Sequence, residues 1–343
     1  MRVGFVGAGA ITQRHLGILA KRSDVEVAAV CDLDVQRAQA VADAVGARAY
    51  PAWQSMLDEE HLDALFVCTP PDSHAAPALA ALGRGVPVYV EKPLARTHAD
   101  GLAIVSAWEE SETVCAVGYQ WRSLDLLHDL RSALRGVAPG MLISRSIGPT
   151  EHARGDLADA RSGSSESWFV DPRRSGGILF ELGSHDIDLQ LALAGPVQSV
   201  QAAAAAGLLA LADRPHSGLD DSVAAILRFA GGGLGAIQVA WTEAQEPAVY
   251  SLDVLAERVA VHVDLDPVFR LSGRAGGVEV AADSATDPRE SALAGFLDAV
   301  RSGEPGRVAC SPADAVVTLR VALACERAIA TGQRVSVLDA DSH

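Results

Sequence analysis

The chain has 343 residues, of which 49% are hydrophobic and 21% charged, a balance typical of a soluble globular protein. A chain of this length is too long to fold around a single hydrophobic core, so we expect two domains. The 44 acidic and 28 basic residues give a net charge of −16, which argues against nucleic acid as a partner because phosphate binding needs a basic surface. No apolar run is long enough to span a bilayer, and we expect no membrane partner.

Five cysteines are scattered without CxxC spacing, so neither a disulfide framework nor a zinc site is indicated. We expect no metal, and a cytoplasmic location. The basic residues are 26 arginines and only two lysines, Lys21 and Lys92. Where a plain positive charge suffices this chain uses arginine, so a lysine marks a place that needs a compact amine able to lose its proton. Lys21 ends a predicted helix, which leaves Lys92 as the candidate for chemistry.

The first part of the chain alternates short apolar runs with amphipathic helices. The predicted strands are 2–6, 25–31, 64–68, 86–90 and 113–118, and the predicted helices are 10–21, 34–45, 73–84 and 97–111. Continuous apolar strands that alternate with helices predict an α/β fold with a parallel, doubly wound Rossmann sheet. We therefore expect a dinucleotide-binding domain over residues 1–121.

The second part, 122–343, is predicted to be an α+β domain with a large, mostly antiparallel, open-faced sheet. Its predicted strands are 141–147, 197–205, 222–230, 234–241, 249–257 and 259–264, and several are joined by glycine-rich turns. The predicted helices are 124–135, 178–194, 289–301 and 312–331, and a polar loop covers 148–167. We expect this domain to bind substrate and to oligomerise, with its last helix packed back on the first domain.

A glycine-rich turn follows the first strand and opens the first helix. Its residues are Gly7, Ala8, Gly9, Ala10, Ile11 and Thr12. Gly7 permits the tight turn, and Gly9 lets the backbone approach a pyrophosphate at the N-terminus of the helix that Ala10 and Ile11 begin. Thr12 stands where the usual fingerprint has its third glycine. In this context the turn predicts a dinucleotide site.

An acidic residue, Asp32, ends the second predicted strand, 20 residues after Thr12. A carboxylate at this place accepts the ribose hydroxyls of NAD and repels the additional phosphate of NADP. The alternative is that Asp32 caps the helix starting at Asp34. Arg37 is one turn into that helix. We expect its side chain either to lie over the adenine of the cofactor or to be a solvated surface charge. We expect NAD as the cofactor.

Two further segments follow predicted strands, CTPPDSH at 68–74 and VYVEKPL at 88–94. With the glycine-rich turn and the CDLD segment they resemble the glucose–fructose oxidoreductase/inositol dehydrogenase (Gfo/Idh/MocA) family. The Glu91-Lys92-Pro93 tripeptide is the most specific mark of the resemblance, which continues through 118–122. The resemblance implies further cofactor contacts at Thr69, Pro70, His74, Glu91, Lys92 and Gln120. His74 either positions the nicotinamide ribose or caps its helix.

Residues 175–188, SGGILFELGSHDID, resemble the helix of that family that faces the substrate. Glu181, His185 and Asp188 fall at i, i+4 and i+7, one stripe of a helix. The resemblance implies that Lys92, Glu181 and His185 are catalytic, although glutamate at 181 replaces the more usual aspartate. It also implies substrate contacts at Arg122 and Trp168. Alternatives are a solvated polar stripe, a metal site and, for Trp168, a place in the core.

These residue types suit the oxidation of a secondary alcohol. Hydride leaves carbon for the nicotinamide while the hydroxyl proton passes to a base, and histidine suits that base because its ordinary pKa is about 6.5. An ammonium group on the same oxygen stabilises the developing alkoxide. Burial beside the cationic nicotinamide also favours the neutral form of the Lys92 amine, which could then accept the proton. Either Lys92 or His185 is therefore the expected proton acceptor.

The resemblance implies an NAD-dependent dehydrogenase acting on the CH–OH group of a sugar, inositol or related polyol. The alternatives are an NAD-dependent glycosidase of the same fold and a non-catalytic, cofactor-sensing regulator. Acidic residues outnumber Arg154, Arg161, Arg173 and Arg174 in the stretch 148–188, which favours an uncharged substrate or an amino sugar over a phosphorylated one. Apolar alternation at 236–241 and 259–263 predicts a homodimer or homotetramer through the open sheet.

Overall fold

The structure is a computed structural model that describes residues 1–148, 168, 171–208, 220–242 and 248–337. The chain divides into two compact units. The first comprises Met1–Tyr119 and Ala292–Val316, and the second comprises Gln120–Ser291 and Val317–His343. The segment Ala292–Val316 therefore belongs to the first unit, although it follows most of the second unit in sequence.

The first unit contains a six-stranded sheet in the order β3-β2-β1-β4-β5-β6, and every neighbouring pair is parallel. The strands are β1 Arg2–Val6, β2 Glu26–Cys31, β3 Arg48–Tyr50, β4 Ala64–Val67, β5 Val88–Val90 and β6 Cys115–Val117. The helices are α1 Ala10–Leu19, α2 Val35–Val45, α3 Trp53–Glu59, α4 Ala75–Leu82 and α5 His98–Ser111. This order is that of the Rossmann fold and confirms the prediction. The short elements β3 and α3 were not predicted.

Both faces of this sheet are buried, which explains why its strands are continuously apolar. Phe5 and Phe66 stack with ring centroids 4.7 Å apart on one face. Phe296, from the helix Pro288–Ser302, packs edge-on against Phe66 and Tyr89. Each such side chain contributes about 1.5–3 kcal/mol when fully buried, so the sheet is a rigid platform for the loops that leave it.

The second unit contains a nine-stranded sheet, counted over the described residues, in the order β14-β13-β12-β11-β7-β10-β9-β8-β15. The strands are β7 Met141–Ile147, β8 Val197–Ala205, β9 Ser222–Phe229, β10 Leu234–Ala240, β11 Val249–Ala256, β12 Val259–Asp266, β13 Arg270–Ala275, β14 Val278–Asp283 and β15 Val335–Ser336. Only β7 and β10 pair in parallel among these, which confirms a mostly antiparallel sheet. The hairpin β13–β14 was not predicted, although Gly276-Gly277 signals its turn.

The remaining helices are Leu126–Leu134, Pro172–Ser175, Ser184–Ala194, Pro288–Ser302 and Pro312–Thr331, with a five-residue π-helix at Leu179–Gly183. The predicted helix 178–194 is therefore a π segment followed by an α segment. Ala315 and Val316, in the first turns of the last helix, lie in the core of the first unit. None of the helices in the described ranges is long and apolar enough to cross a membrane.

The apolar alternation at 236–241 and 259–263 faces inward. Ile237, Val239, Val261 and Val263 are all at most 3% exposed, whereas Gln238 lies in an exposed position on the other face. The expectation of an apolar open surface at these residues was wrong. The inner face already has helices to cover it, so the period-2 pattern marks the core side of each strand.

Candidate functional site

Four strands of the first unit end side by side at one edge of the sheet. The register pairs Val6 with Val67, Val67 with Val90, and Val90 with Val117. The residues that follow these valines are therefore neighbours across the edge, and they are Gly7, Cys68, Glu91 and Gly118. The carboxyl edge of a parallel sheet is where such folds bind ligands.

Gly7 is required by its backbone and by its neighbour. Its φ is +99°, and a Cβ there would lie 2.4 Å from the carbonyl oxygen of Cys68. The hydroxyl of Thr12, which is fully buried, donates to the Gly7 carbonyl at 2.7 Å. Thr12 therefore closes the turn with a side-chain hydrogen bond, which is how this chain replaces the third glycine of the fingerprint.

The residues at the start of α1 leave room for a phosphate group. No atom outside its own neighbours lies within 4 Å of a Cβ built on Gly9, which is the N-cap. Ala10 and Ile11 begin the helix, no side chain caps it, and no acidic residue lies in its first turn. Free N–H groups and the positive end of the helix dipole suit a pyrophosphate, so this turn fits NAD.

Asp32 lies beside the glycine-rich turn. Its Oδ2 accepts the N–H of Ala8 at 2.7 Å and its Oδ1 accepts that of Asp34 at 2.8 Å. The N-cap of α2 is Asp34, whose side chain accepts the N–H groups of Gln36 and Arg37. The alternative that Asp32 caps this helix is therefore wrong. Its carboxylate is joined to the turn that would hold the pyrophosphate, as ribose recognition requires.

Arg37 is a half-exposed side chain close to two carboxylates. Its guanidinium lies 3.9 Å from Oδ1 of Asp32 and 3.5 Å from Oδ2 of Asp34. At this exposure such pairs contribute little stability. The arrangement places Arg37 at the rim of the predicted adenosine site and gives its charge a local partner.

His74 is fully buried beneath the loops that follow β4 and β5. Its Nε2 lies 2.7 Å from the carbonyl oxygen of Thr69, and its Nδ1 lies 2.9 Å from that of Pro93. Burial lowers the pKa of His74 even though these backbone contacts oppose the effect. His74 is the N-cap residue of α4, but its side chain makes no capping hydrogen bond to that helix. His74 instead joins the Thr69-Pro70 loop to the Lys92-Pro93 loop.

Glu91 and Lys92 follow β5 directly. Glu91 is 7% exposed, and its Oε1 lies 2.6 Å from Nε2 of His15 on α1. Its Oε2 accepts the backbone N–H of Lys92 at 3.2 Å. Lys92 itself is half-buried at the sheet edge. The first unit thus brings Lys92, the glycine-rich turn and the Thr69 loop to one edge.

In the second unit, His185 and Glu181 are both 8% exposed. The His185 ring packs against Trp121, with ring centroids 5.1 Å apart. Trp121 belongs to a 3₁₀ turn, Gln120–Ser123, so Gln120 and Arg122 flank this contact in sequence. Glu181 lies within the π-helix, a feature frequently found at functional sites. The solvated-stripe alternative is wrong because both side chains are buried.

Arg122 and Asp188 form a buried ion pair, with Nε 2.8 Å from Oδ2 and side chains 13% and 2% exposed. The hydroxyl of Thr318 donates to the other oxygen of Asp188 at 2.9 Å. Asp188 therefore has a structural partner on two sides. Arg122, expected as a substrate cation, engages this carboxylate and fixes the 3₁₀ turn on the helix Ser184–Ala194.

The other expected residues are more dispersed. Trp168 is half-buried, and Arg174 is likewise half-buried. Arg173 is exposed and paired with Asp171 at 3.0 Å. Arg154 and Arg161 lie outside the described residues. Among the residues described, no group of three or more His, Cys, Asp or Glu side chains is arranged to hold a metal ion.

Asp186, the residue after His185, is fully buried and interacts with the hydroxyls of Ser144 and Ser146 on β7. Burial raises the pKa of Asp186 to about 8, and the hydroxyls of Ser146 and Ser144 on β7 offset this only in part. Gln190, one turn later, donates to Ser144 at 2.8 Å. This polar cluster fixes the helix Ser184–Ala194 on the sheet.

The chain belongs to the Gfo/Idh/MocA family. The oxidoreductase family with an NAD-binding Rossmann fold matches residues 1–119, and the GFO/IDH/MocA C-terminal domain matches residues 140–279, together more than half of the chain. The resemblance drawn from the motifs is confirmed. The first unit is therefore an NAD-binding domain of an oxidoreductase family.

Individual relatives share at most moderate sequence identity with the chain, as three examples show. A 4-carboxy-2-hydroxymuconate-6-semialdehyde dehydrogenase from Sphingobium sp. is 30% identical over 211 residues, 60% of this chain and 62% of that protein. Inositol 2-dehydrogenase 3 from Saccharopolyspora erythraea is 40% identical over 108 residues, 31% of this chain and 32% of that protein. Both alignments thus cover less than two thirds of the relative. The structure of the WlbA dehydrogenase from Bordetella pertussis in complex with NADH and UDP-GlcNAcA has 26% identity and a TM-score of 0.79, over 98% of both chains.

One residue of the site, His15, was not predicted, and Thr12 was predicted only as the position of a missing third glycine. His15 lies on the buried face of α1 and bonds Glu91, and Thr12 closes the turn in place of a glycine. A histidine at i+3 from Thr12, on a helix face otherwise made of apolar residues, was the available signal for His15. Its partner is 76 residues away in sequence, so no local pattern identifies the pair.

Proposed function

We propose that this chain is an NAD-dependent dehydrogenase that oxidises a secondary alcohol of a sugar, inositol or related polyol, or reduces the corresponding ketone. The observation that carries the proposal is the arrangement at the sheet edge of the first unit. There Lys92, a half-buried lysine in a chain with only two, follows β5 at the edge that also holds the glycine-rich turn. The names of the relatives, an inositol dehydrogenase among them, support the substrate class.

Bound NAD⁺ supplies the acceptor for hydride from the carbinol carbon. In the proposed reaction the Lys92 ammonium donates a hydrogen bond to the alcohol oxygen and stabilises charge that develops there. The hydroxyl proton passes to His185 or to a neutral Lys92, the carbon–hydrogen bond breaks, and a C=O bond forms. Burial of His185 against Trp121 restricts its ring orientation and limits its contact with water. Glu181 is proposed as the third catalytic residue.

The substrate is proposed to be uncharged. Arg122 is engaged by the buried carboxylate of Asp188, so its guanidinium reaches a phosphate only if that ion pair is broken. The pair of Arg173 with Asp171 is exposed and contributes little to this argument. A phosphate site normally needs clustered or bidentate donors. The nucleotide sugar bound in the WlbA structure makes UDP sugars the most informative comparison.

The protein is further proposed to be cytoplasmic and a homodimer or homotetramer through the outer face of the nine-stranded sheet, with no nucleic-acid or membrane partner. Ile226 and Leu255 are 44% and 39% exposed on β9 and β11 of that sheet, while Arg145 lies 4.0 Å from Asp253. A second copy would cover this mixture of apolar and paired charged groups. Light scattering at micromolar concentration tests this, and a monomer would reject it.

Turnover is tested by incubating the protein with saturating NAD and a panel of free inositols, free sugars, sugar phosphates and UDP sugars. NADH absorbance and product ketone are measured together. The proposal expects NADH and ketone in equal amounts with at least one free polyol or sugar. Hydrolysis without accumulation of NADH would indicate a glycosidase, and turnover of phosphorylated compounds alone would reject the uncharged-substrate proposal.

A further inference from the structure

A histidine lies on the apolar, buried face of the helix that begins at the dinucleotide turn. His15 is 5% exposed and shares that face of α1 with Leu16 and Leu19. Its ring lies 6.1 Å from the Phe66 ring and 5.7 Å from the Tyr89 ring, centroid to centroid. Burying an imidazole among aromatic rings is unfavourable unless the ring forms hydrogen bonds.

The partner of His15 is the glutamate beside the proposed catalytic lysine. Nε2 of His15 and Oε1 of Glu91 are 2.6 Å apart, and the two side chains are 6% and 10% exposed. The other oxygen of Glu91 accepts the backbone N–H of Lys92. One carboxylate thus joins α1 to the backbone of Lys92. Nδ1 of His15 has no hydrogen-bond partner within the described part of the chain.

The electrostatics of this pair favour an ionised glutamate. Burial alone would raise the pKa of Glu91, but the hydrogen bond with His15 and the charges of His15 and Lys92 hold it below the ordinary value. A charge-assisted hydrogen bond in a buried place is short and strongly directional. Both carboxylate oxygens are engaged within the protein, so Glu91 is better suited to hold structure than to bind the cofactor.

Gly118, which follows the adjacent strand β6, leaves space for the Glu91 carboxylate because it has no side chain. A Cβ built on Gly118, directly after β6, would lie 3.0 Å from Oε2 and 3.2 Å from Oε1 of Glu91. Such distances are too short for the carboxylate to stay where it is. His15 on α1, the backbone of Lys92 after β5 and Gly118 after β6 therefore all constrain one carboxylate.

We infer that His15 is a positioning residue for the reaction. Through Glu91 it fixes the backbone of Lys92 relative to α1, the helix whose N-terminus receives the dinucleotide, and so holds the amine where the alcohol is oxidised. The inference rests on the proposed function, because it takes Lys92 as a catalytic residue. It assigns His15 no proton transfer with the substrate, and it replaces the expected cofactor contact of Glu91 with a structural one.

The test compares kcat with NADH affinity in variants of His15. His15→Phe keeps the ring and removes the hydrogen bond, and we expect kcat to fall by about 10²-fold, the usual effect of misplacing a reacting group by an ångström. The Kd for NADH should stay within about 3-fold, because the glycine-rich turn is unchanged. His15→Gln, whose side-chain amide donates at a similar reach, should recover most of kcat. Leu19→Ala, on the same face, should lower Tm and leave kcat unchanged.

Two additional measurements do not depend on His15→Phe being well folded. Gly118→Ala displaces the carboxylate without removing a partner, and it should lower kcat while the Kd for NADH stays unchanged. Lysine labelled with carbon-13 at Cε gives two NMR signals, since only Lys21 and Lys92 are present. Gly118→Ala should move the Lys92 signal and leave that of Lys21 in place, whereas His15→Gln, which keeps the hydrogen bond, should leave both signals close to their wild-type positions.

Wild-type kcat in His15→Phe, or an unmoved Lys92 signal in Gly118→Ala, would overturn the inference. Equal losses of kcat in His15→Phe and Leu19→Ala would also overturn it, because they would indicate general destabilisation. Lys92→Met separates the two proposals. If Lys92→Met turns over normally, the proposed function itself is wrong. If Lys92→Met is inactive while His15→Phe is fully active, only the positioning role is rejected.

Discussion

Asp32 tests the cofactor preference at the scale of one residue. Its carboxylate is held against the glycine-rich turn by the N–H of Ala8, so it lies where the adenosine ribose is expected. Repulsion between this charge and the additional phosphate of NADP amounts to about 4 kcal/mol at 4 Å and an effective dielectric of about 20. We therefore expect calorimetry to show tighter binding of NADH than of NADPH. The difference between the two affinities should be smaller in Asp32→Ala. Asp43→Ala, on the surface of α2, is the charge-matched control. Equal affinities in the wild type would contradict the assignment.

Lys92 carries the second prediction. Lys92→Arg keeps the positive charge but replaces a compact amine with a planar group that cannot lose its proton. Turnover should fall by at least about 10²-fold with little change in the Kd for NADH. Lys21→Arg, at the only other lysine, should behave like the wild type, and His185→Ala should resemble Lys92→Arg. Normal turnover in Lys92→Arg would reduce Lys92 to an electrostatic role.

The residues that were predictable are those next to strand ends. Gly7, Asp32 and Lys92 each follow a strand that local periodicity identifies, so chain order alone brings them to the sheet edge. The bonds from His15 to Glu91 and from Arg122 to Asp188 join residues 76 and 66 positions apart, and no local pattern specifies such pairs. The pairing of Arg122 with a buried carboxylate was therefore not predicted, and its contact with substrate stays a prediction.

Among the elements, α1 depends on a side chain at the position where a third glycine was expected. Thr12→Val is nearly isosteric and removes only the hydroxyl that donates to the Gly7 carbonyl. We expect the free energy of unfolding to fall by about 1–2 kcal/mol, since a buried acceptor loses its donor. NADH affinity should fall as well, because the turn is less well fixed. Urea denaturation and calorimetry measure the two effects.

The control for Thr12→Val is Thr331→Val, which removes a hydroxyl donating to the carbonyl of Arg327 at an exposed place. Its effect on stability should stay below about 0.5 kcal/mol, because water replaces the lost hydrogen bond. If both substitutions had the same small effect, the Thr12 hydroxyl would not stabilise the turn.

The helix Ser184–Ala194 makes a prediction about pH. Burial raises the pKa of Asp186 to about 8, so in the folded protein the carboxyl stays neutral at pH values where the unfolded chain ionises. Between about pH 4 and 8 the folded state therefore holds the additional proton, and stability falls as pH rises, by up to about 1.4 kcal/mol per pH unit. Asp186→Asn should remove this slope. Urea denaturation at several pH values from 5 to 7.5 measures it.

The comparison for this prediction is the difference between wild type and Asp186→Asn at each pH. The wild type should lose stability relative to the variant as pH rises through this window. A difference that is constant with pH would show that Asp186 ionises alike in both states. Because titration of other groups is common to both proteins, it cancels in the difference.

At the scale of the elements, long regular segments were predictable and short or irregular ones were not. The strands Met141–Ile147 and Val197–Ala205 and the helix Pro312–Thr331 appear with their predicted bounds. The three-residue strand Arg48–Tyr50 is too short to show a period. The π-helix Leu179–Gly183 was predicted as ordinary helix, since periodicity does not distinguish one turn of π from α.

At the scale of the whole molecule, composition and strand–helix alternation predicted both fold classes. They did not predict which face of the second sheet is covered, because an alternating strand has the same pattern whichever face meets the helices. The apolar side chains at 236–241 and 259–263 are inside, so oligomerisation has to be argued from Ile226, Leu255 and their charged neighbours.

The proposed dehydrogenase activity is tested by incubating the wild-type protein, Lys92→Arg and Lys21→Arg in parallel with NAD and free polyols or sugars, and following NADH. We expect NADH in equal amount to product ketone for the wild type and Lys21→Arg, and at least about 10²-fold slower NADH formation for Lys92→Arg. Failure of the wild type to reduce NAD with any inositol, sugar, sugar phosphate or UDP sugar of the panel would contradict the proposed activity. Equal rates in all three proteins would do so too.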